Sequence, residues 1–191
     1  MGKLVVTEFV SLDGVMEDPG GSEGTKHGAW TFKFDRGAAG DKFKLDELIA
    51  ADAQLLGRVT YDGFAAAWPK IDAGEFSVKM NGMPKFVVST TLTDPSWNNT
   101  TVLHGDVRDS VSELVSRYAG DILVAGSARL VQTLLAFDLV DELHLMVFPI
   151  VLGSGKRLFA DGADVSAFEL VSTQQTGEAA VLTLQRTAKS I

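Results

Sequence analysis

The run Gln54–Asp62 has the residue types of an anion-binding site where a strand passes into a helix. An apolar stretch ends at Gly57, and a helix start offers unpaired N–H groups and a positive dipole end that suit a phosphate. We expect Gly57 to let a ligand approach the backbone, Arg58 to add a planar charged fork, and Thr60 to cap the helix and donate its hydroxyl. An ordinary strand–turn–helix junction with a surface arginine would have the same sequence.

Two further segments place polar groups where an apolar stretch ends. Ser89 and Thr90, at the end of Lys85–Ser89, could donate hydroxyls to a phosphate or a ribose, although such residues also form ordinary turns. Residues 123–129 combine an apolar stretch, a Gly-Ser turn and a helix start, which could seat a pyrophosphate on backbone N–H groups. They lack the G-x-G-x-x-G pattern, so a tight turn between strand and helix is the alternative. The candidate residues here are Gly126, Ser127, Ala128 and Arg129.

A scaffold is needed that brings these strand ends together. Strands alternate with helices through residue 140 and a β-rich tail follows, which predicts an α/β fold with a mostly parallel central sheet and an antiparallel C-terminal edge hairpin. In such a sheet, ligands bind outside the carboxyl ends of the strands, so we expect the three polar strand ends to line one site. The predicted strands are Lys3–Ser11, Ala53–Leu56, Lys85–Ser89, Asp121–Ala125, Asp141–Val147, Phe168–Thr176 and Ala179–Gln185. The predicted helices are Asp41–Ala51, Thr60–Ala67, Asp109–Tyr118 (capped by Asp109) and Ala128–Phe137.

Two long segments have no regular pattern. Asp13–Gly40 is rich in glycine, and a loop of this length in a compact domain is usually functional, so we predict a lid over the reacting centre. Pro69–Met83 is predicted to be a linker.

The composition limits the classes of protein and ligand. With 191 residues and 46% apolar content, the chain can form one domain over residues 1–191. A net charge of −8 without a basic patch argues against binding to nucleic acid or to an anionic membrane, and no apolar run approaches the roughly 20 residues of a membrane helix. Since there is no cysteine, disulfides and thiolate zinc sites are excluded; we predict no metal site and expect a cytoplasmic location.

Four short motifs occur in order over nearly the whole chain. Gly57–Asp62 is similar to the G-R-x-T-W-E run of dihydrofolate reductases, and the turn Gly126-Ser127 lies where those enzymes have strand–Gly-Gly–helix. Ser11–Gly14 resembles the S-L-D-G run of the riboflavin-biosynthesis reductase domain (the RibD C-terminal domain), and Ile150–Phe159 resembles the V-L-G-x-G-K-R-L-F stretch of small stand-alone members of this group. The resemblance implies a three-layer, dihydrofolate reductase-like fold.

The resemblance also implies an NADPH site. The implied contacts are Gly57, Arg58 and Thr60 at the 2′-phosphate and pyrophosphate, Ser89 and Thr90 near the adenosine ribose, and Gly126, Ser127, Ala128 and Arg129 on the other side of the pyrophosphate. An arginine with hydroxyls near a ribose favours NADP, because NAD typically calls for an acidic residue there. The nicotinamide would lie against the first strand, where Thr7 and Phe9 share a face. The candidate substrate contacts are Thr7, Phe9, Asp13 and Gly14, although Asp13 could also bond to its own turn.

The proton donor and the substrate are less defined. Dihydrofolate reductases carry an acid at the start of the helix before the G-R-x-T run, and Asp41, 16 residues before Gly57, is the catalytic candidate; an ordinary helix cap is the alternative. Ser127 replaces the second glycine of the Gly-Gly pair, and the Pro-Trp pair of the folate-enzyme substrate loop is missing, although Trp30 is nearby. Substrate recognition is therefore expected to differ.

The leading hypothesis is an NADPH-dependent reductase of a small heterocyclic substrate, resembling 5-amino-6-(5-phosphoribosylamino)uracil reductase. Dihydrofolate reductase-type pterin reduction and a non-catalytic nucleotide-binding module are the alternatives. We expect a homodimer, formed through the apolar region Leu145–Leu152 and the C-terminal hairpin.

Overall fold

Eight strands and five helices make up the computed structural model, which describes residues 2–187. The strands are β1 (Leu4–Ser11), β2 (Ala53–Gly57), β3 (Lys85–Val88), β4 (Thr100–Leu103), β5 (Ile122–Ala125), β6 (Glu142–Phe148), β7 (Phe168–Thr176) and β8 (Ala179–Arg186). The helices are α1 (Gly37–Ala50), α2 (Arg58–Ala67), α3 (Glu75–Gly82), α4 (Val107–Arg117) and α5 (Ala128–Ala136), with short 3-10 helices at Trp30–Lys33 and Trp68–Lys70.

All eight strands form one sheet in the order β4-β3-β2-β5-β1-β6-β8-β7. The strands from β4 to β6 in this order pair in parallel, whereas β8 pairs antiparallel with both β6 and β7. The predicted α/β fold with a mostly parallel sheet and an antiparallel C-terminal hairpin is therefore confirmed. Because the parallel strands all run the same way, the ends of β1, β2 and β5 meet at one edge.

Helices cover both faces of the sheet, which gives three layers. The parallel strands are apolar on both faces because both faces are buried. Leu4 and Val6 of β1 pack in the core that includes residues of α4 and α5, while Val5 points to the other face and packs in the core that includes residues of α1, α2 and α3. Within residues 2–187, none of the helices combines the length and the apolar character that crossing a bilayer requires.

One α-helix and one strand were not predicted from the sequence. The predicted linker Pro69–Met83 contains α3, which begins after Gly74 (φ 57°) and buries Ser77 and Met80 against the rest of the fold. Its buried face carries one polar and one apolar side chain, so local periodicity gave no helix signal. The short strand β4 pairs with β3 at the sheet edge and is only half-buried, so it lacks the apolar run by which the central strands were predicted.

The beginnings of three helices differ from the predictions. Helix α2 begins at Arg58, so Thr60 lies inside the first turn and the predicted cap is wrong. Helix α4 begins at Val107, and Asp106 caps it by accepting a hydrogen bond from the N–H of Asp109. Helix α1 begins at Gly37, four residues before Asp41, so an N-cap at Asp41 is also wrong.

The long loop between β1 and α1 is fastened at two buried residues. The ring of Trp30 is fully buried against Phe148, with centroids 5.5 Å apart, and its Nε1–H donates to the carbonyl of Glu17 at 2.9 Å. The buried carboxylate of Asp18 accepts hydrogen bonds from the N–H groups of Glu23 and Thr25, both at 2.9 Å. Residues 16–20, 22 and 23 thereby form one wall of the cleft described next.

Candidate active site

A cleft of about 1390 Å³ runs along the edge where β1, β2 and β5 end. Small-molecule pockets commonly measure about 300–1,000 Å³, so there is room for more than one ligand. The cleft brings together most of the residues predicted from the sequence, namely Thr7, Phe9, Asp41, Gly57, Arg58, Thr60, Gly126, Ser127, Ala128 and Arg129. It does not include Asp13, Gly14, Ser89 or Thr90 in its lining.

Ser127 joins the two strand–helix junctions of the cleft. Its Oγ accepts a hydrogen bond from the N–H of Gly57 at 2.8 Å, and its own N–H donates to Oγ1 of Thr60 at 2.8 Å. The junctions are closely packed, because a Cβ on Gly126 would lie 2.9 Å from the side chain of Thr60. The N–H groups of Gly57 and Ser127 are therefore occupied inside the protein and are not available to a phosphate.

The first turns of α2 and α5 supply the donors that remain. Neither helix has a side-chain cap, so the N–H groups of these turns have no side-chain acceptor at the cap position. Each turn also carries an arginine that lines the cleft: Arg58 is held by Asp62 at 2.8 Å, and Arg129 forms no ion pair with any residue between 2 and 187. The uncapped N-termini of α2 and α5, each with an arginine, thus follow the adjacent strands β2 and β5 and line one cleft.

Ser89 and Thr90 serve a local turn. The buried Oγ of Ser89 accepts hydrogen bonds from the N–H groups of Thr91 (3.2 Å) and Leu92 (3.1 Å), which is the turn role that competed with the ligand role. Thr90 is exposed. The end of β3 contributes to the cleft through Val88 instead.

Asp13 binds a distant loop. Its carboxylate accepts hydrogen bonds from the Ser11 hydroxyl at 2.7 Å and from the N–H groups of Leu152 and Gly153 at 3.0 and 2.8 Å. These hydrogen bonds lower the pKa of Asp13 to about 2. Gly14 also bonds to this loop through its carbonyl, which accepts from the N–H of Leu158 at 2.9 Å. The two segments that resemble the riboflavin-type reductases, 11–14 and 150–159, are therefore hydrogen-bonded to each other, and we call this contact the clasp.

A charged cluster lies between β1, α1 and β6. The Thr7 hydroxyl donates to Glu47 Oε1 at 2.8 Å and accepts from Lys44 Nζ at 2.6 Å, and Lys44 also forms an ion pair with Glu47. His144 Nδ1 lies 3.0 Å from Glu47 Oε2. Burial alone would raise the pKa of Glu47, but Lys44 and the hydrogen bonds bring it below its ordinary value. Thr7, Lys44 and Glu47 line the cleft, so this charged cluster faces its interior.

Glu8 is a second buried acid at the cleft, on the opposite face of β1 from Thr7 and Phe9. Its Oε1 has no hydrogen-bond partner among the described residues. Burial raises the pKa of Glu8 well above its ordinary value, although Lys44 and a hydrogen bond from Gly126 act in the other direction. A carboxyl group with a raised pKa keeps its proton to a higher pH than an ordinary one, and in its protonated form it can both donate and accept a hydrogen bond.

Asp41 lies at the rim of the cleft. Its side chain is 66% exposed, and its carboxylate accepts a hydrogen bond from Arg36 Nε at 2.6 Å. A catalytic carboxyl group beneath a bound heterocycle would be enclosed by apolar groups, whereas the carboxylate of Asp41 is exposed to solvent and paired with Arg36.

The polar residues of the cleft that sequence reasoning missed include Glu8, Lys44, Glu47 and Gln54. Glu8 and Gln54 did carry a signal, since each is a polar residue inside an otherwise apolar strand. Lys44 and Glu47 are three residues apart on a helix that also has other charges, so only the position of Thr7 beneath α1 reveals their role.

The comparisons with known proteins agree with this architecture. The family model described as the RibD C-terminal domain matches residues 2–182. Among Bacillus subtilis (strain 168) proteins, the uncharacterized YwjB is 27% identical over 180 residues, covering 94% of this chain and 95% of its own length, and the uncharacterized YyaP is 29% identical over 133 residues, covering 68% and 70%.

Two solved structures share the fold. A protein from Shewanella sp. PV-4 that is named for riboflavin biosynthesis superposes with a TM-score of 0.77 at 22% identity, covering 97% of this chain and 99% of its own. Acinetobacter baumannii RibD superposes with a TM-score of 0.63 at 18% identity, and the match covers 98% of this chain but 58% of RibD. With this match over residues 2–182, on a dihydrofolate reductase-like fold, the chain belongs to the RibD C-terminal domain family, whose domain is a reductase domain of riboflavin biosynthesis.

Proposed function

We propose that the protein is an NADPH-dependent reductase that delivers hydride to a C=N or C=O group of a small heterocyclic substrate, as 5-amino-6-(5-phosphoribosylamino)uracil reductases do. The observation that carries the proposal is the pair of uncapped helix N-termini in one cleft, with Arg58 on one and Arg129 on the other. Such a pair suits the two phosphates of a dinucleotide, because each terminus offers N–H groups, a positive dipole end and a guanidinium.

The residues of the cleft fit the cofactor in charge and in space. Arg129 has a guanidinium without an ion-pair partner among residues 2–187, and Arg58 with the hydroxyl of Thr60 can address a ribose phosphate, which favours NADP over NAD. When bound, the cofactor supplies the hydride, and the protein orients and shields it.

The proton that reduction requires is assigned to the charged cluster. Lys44 has three N–H donors, and Thr7 and Glu47 take two of them, which leaves one for a group in the cleft. Glu47 holds this ammonium in place and is itself held by His144. Asp41 is less suited to the role because it is exposed and paired with Arg36.

Cofactor titration of the wild-type chain, followed by quenching of tryptophan fluorescence, tests the proposal. We expect NADPH to bind at least about tenfold tighter than NADH, and Arg58→Ala to remove most of that preference, since a charge-assisted hydrogen bond is worth about 1.5–3 kcal/mol. Arg117→Ala is the matched control, because Arg117 forms the same kind of helical pair with Glu113 at a site that does not line the cleft. Equal binding of the two cofactors by the wild-type protein would contradict the proposal.

A further inference from the structure

Beyond the two helix N-termini, the cleft extends into a lobe between the sheet and helices α1, α2 and α3. We call it the α3 lobe. Its lining is mostly apolar and consists of Leu48 from α1, Phe64 from α2, Trp68, and Phe76 and Met80 from α3. One wall of the lobe is helix α3, which lies in the segment that the sequence analysis predicted to be a linker. The charged residue that α3 contributes to the cleft lining is the acid Glu75, so the lobe favours a neutral ligand over an anion.

Gln54 lies at the floor of the α3 lobe with an unused hydrogen-bond acceptor. Its side chain extends from β2 and is 1% exposed. The amide Nε2 lies 3.3 Å from the sulfur of Met80, whereas Oε1 has no partner among residues 2–187. A buried acceptor without a partner costs about 1–3 kcal/mol, so a ligand that donates a hydrogen bond here would regain stability that the empty fold forgoes.

The aromatic side chains of the lobe suit a flat ring. The rings of Trp68 and Phe76 lie 5.2 Å apart at an angle of 32°, and Phe64 meets Trp68 edge-on at 6.3 Å. Trp68, Phe64 and Phe76 are only partly buried, so they present ring surface to the cleft. Aromatic groups prefer offset-stacked or edge-to-face contacts, which a planar ligand can make with these side chains.

The lobe lies beside the charged cluster on the same face of the sheet. Gln54 pairs with Leu123, and Thr7 pairs with Ala125, so their Cα positions differ by two strands and two residues. With strands about 4.8 Å apart and about 3.3 Å per residue, the separation is roughly 12 Å. A ring in the α3 lobe is thus within reach of the cleft wall that carries Thr7 and Lys44.

We propose that the α3 lobe is a binding site for a neutral, planar heteroaromatic lactam, whose ring N–H donates to Gln54 Oε1 and whose face packs against Trp68. The role of this ring as the hydride acceptor rests on the proposed function, but its binding does not require the cofactor. Gln54 is the residue that selects rings with an N–H donor, because an N-alkylated ring of the same shape leaves Oε1 unpaired.

Two matched probes and the full-length chain test the proposal. Lumazine is a planar bicyclic lactam with ring N–H donors, and 1,3-dimethyllumazine has methyl groups in their place. Binding is measured without cofactor by quenching of tryptophan emission, and Trp68→Phe identifies the share of the signal that comes from the lobe. We expect wild-type protein to bind lumazine at least about tenfold tighter than the dimethyl compound, the factor that one hydrogen bond provides.

Gln54→Met is the decisive variant, because methionine has similar length and lacks the amide oxygen. We expect the variant to bind lumazine about tenfold more weakly than the wild-type protein does. For the dimethyl compound, we expect the variant and the wild-type protein to have the same affinity. Because Gln54→Met removes an unpaired buried acceptor, we also expect the variant to unfold at a urea concentration at least as high as the wild-type protein. This measurement checks that the fold of the variant is intact.

Equal affinity of the wild-type protein for the two probes, no binding of lumazine, or unchanged lumazine binding by Gln54→Met would overturn the proposal. Failure of the reductase proposal would look different. In that case NADPH would not bind, while the two probes would still be distinguished in a Gln54-dependent way.

Discussion

Among single residues, Ser127 links the two strand–helix junctions of the cleft through two hydrogen bonds. Its backbone is left-handed, with φ of 65°, and its hydroxyl accepts the hydrogen bond of the Gly57 N–H. A left-handed conformation costs a non-glycine residue roughly 1–2 kcal/mol. The chain therefore has a strained serine at the position where dihydrofolate reductases have glycine. The hydrogen bond between its hydroxyl and the Gly57 N–H offsets this strain.

Two substitutions separate the strain from the hydrogen bond. Ser127→Ala leaves the strain and removes the acceptor of the Gly57 N–H, so we expect a loss of about 1–3 kcal/mol in the free energy of unfolding. Ser127→Gly removes the same acceptor and relieves the strain, so its loss is expected to be smaller by about 1 kcal/mol. Urea denaturation of the three proteins measures both values. If the alanine variant were as stable as the glycine variant, the strain at this position would not be real.

Asp13 makes the stability of the clasp depend on pH. Its pKa is about 2 in the folded chain against an ordinary value of 3.8, so its contribution is fully present above 3.8 and is lost as the pH falls towards 2. Asp13→Asn is expected to lower stability at neutral pH and to flatten the decline between these two values. Urea denaturation over a pH series provides the measurement. Parallel pH profiles for variant and wild type would contradict this assignment.

At the scale of elements, the loop between β1 and α1 is fastened to the fold by Trp30. The ring is fully buried, and its N–H holds the carbonyl of Glu17, a residue of the cleft wall. A lid over the reacting centre would therefore pivot at this residue. Most of the loop residues that line the cleft, 16–20, 22 and 23, lie between the clasp at Asp13 and the anchor at Trp30, and Arg36 lines it just before α1.

Trp30→Phe is expected to loosen this loop selectively. The substitution removes the bond to Glu17 and part of the ring volume, so amide hydrogen exchange over residues 17–29 should become faster while β5 and β1 stay protected. Trp97→Phe is the matched control, because Trp97 is also buried and donates its Nε1–H at 2.8 Å, to Asn81, in a different hydrophobic cluster from Trp30. Equal exchange in the loop for the two variants would show that Trp30 is not the anchor.

The sequence predicted those elements whose burial is expressed locally. Strand β5 reads as four apolar residues because both of its faces are covered, and α4 shows Val111 and Leu114 on one face. In contrast, α3 and β4 depend on partners far away in the chain: α3 packs its two buried residues on the fold, and β4 needs only its pairing with β3. Such elements carry little signal in their own residues.

The same distinction applies to the candidate site: residues with a local sequence signal were predicted, and residues placed by distant contacts were not. Gly57, Arg58 and Gly126 follow strands and were expected at the cleft, where the structure places them. For Ser89 and Asp13, the sequence allowed both a ligand-binding role and a hydrogen bond within the protein. The outcome depends on the positions of Leu92 and Leu152 in the folded chain, whose N–H groups donate to these side chains. The charged cluster could not be predicted, because its members come from three elements that only the sheet order brings together.

At the scale of the whole molecule, the antiparallel hairpin leaves an edge. Strand β7 is the last strand of the sheet, and it exposes Leu170 and Val171, at 55% and 58%. An unpaired edge with apolar side chains favours pairing with another chain. We propose that two copies associate through β7 around a two-fold axis, which gives the homodimer expected from the sequence.

Leu170→Lys is expected to convert this dimer to a monomer, because a charge would then face its own copy across the axis. Light scattering coupled to size-exclusion chromatography measures the molar mass. Val78→Lys is the control, since Val78 on α3 is an apolar residue that is even more exposed, at 72%. A monomeric wild-type protein, or a dimer that survives Leu170→Lys, would contradict the assignment of β7.

We propose that the first turns of α2 and α5 together hold the diphosphate of a reduced nicotinamide cofactor. A crystal structure of the protein grown with excess NADPH tests it most directly. We predict that the phosphate oxygens lie within hydrogen-bond distance of N–H groups in both turns, with Arg58 and Arg129 on either side. NADPH bound elsewhere on the molecule, or a cleft that stays empty at saturating cofactor, would contradict this binding mode.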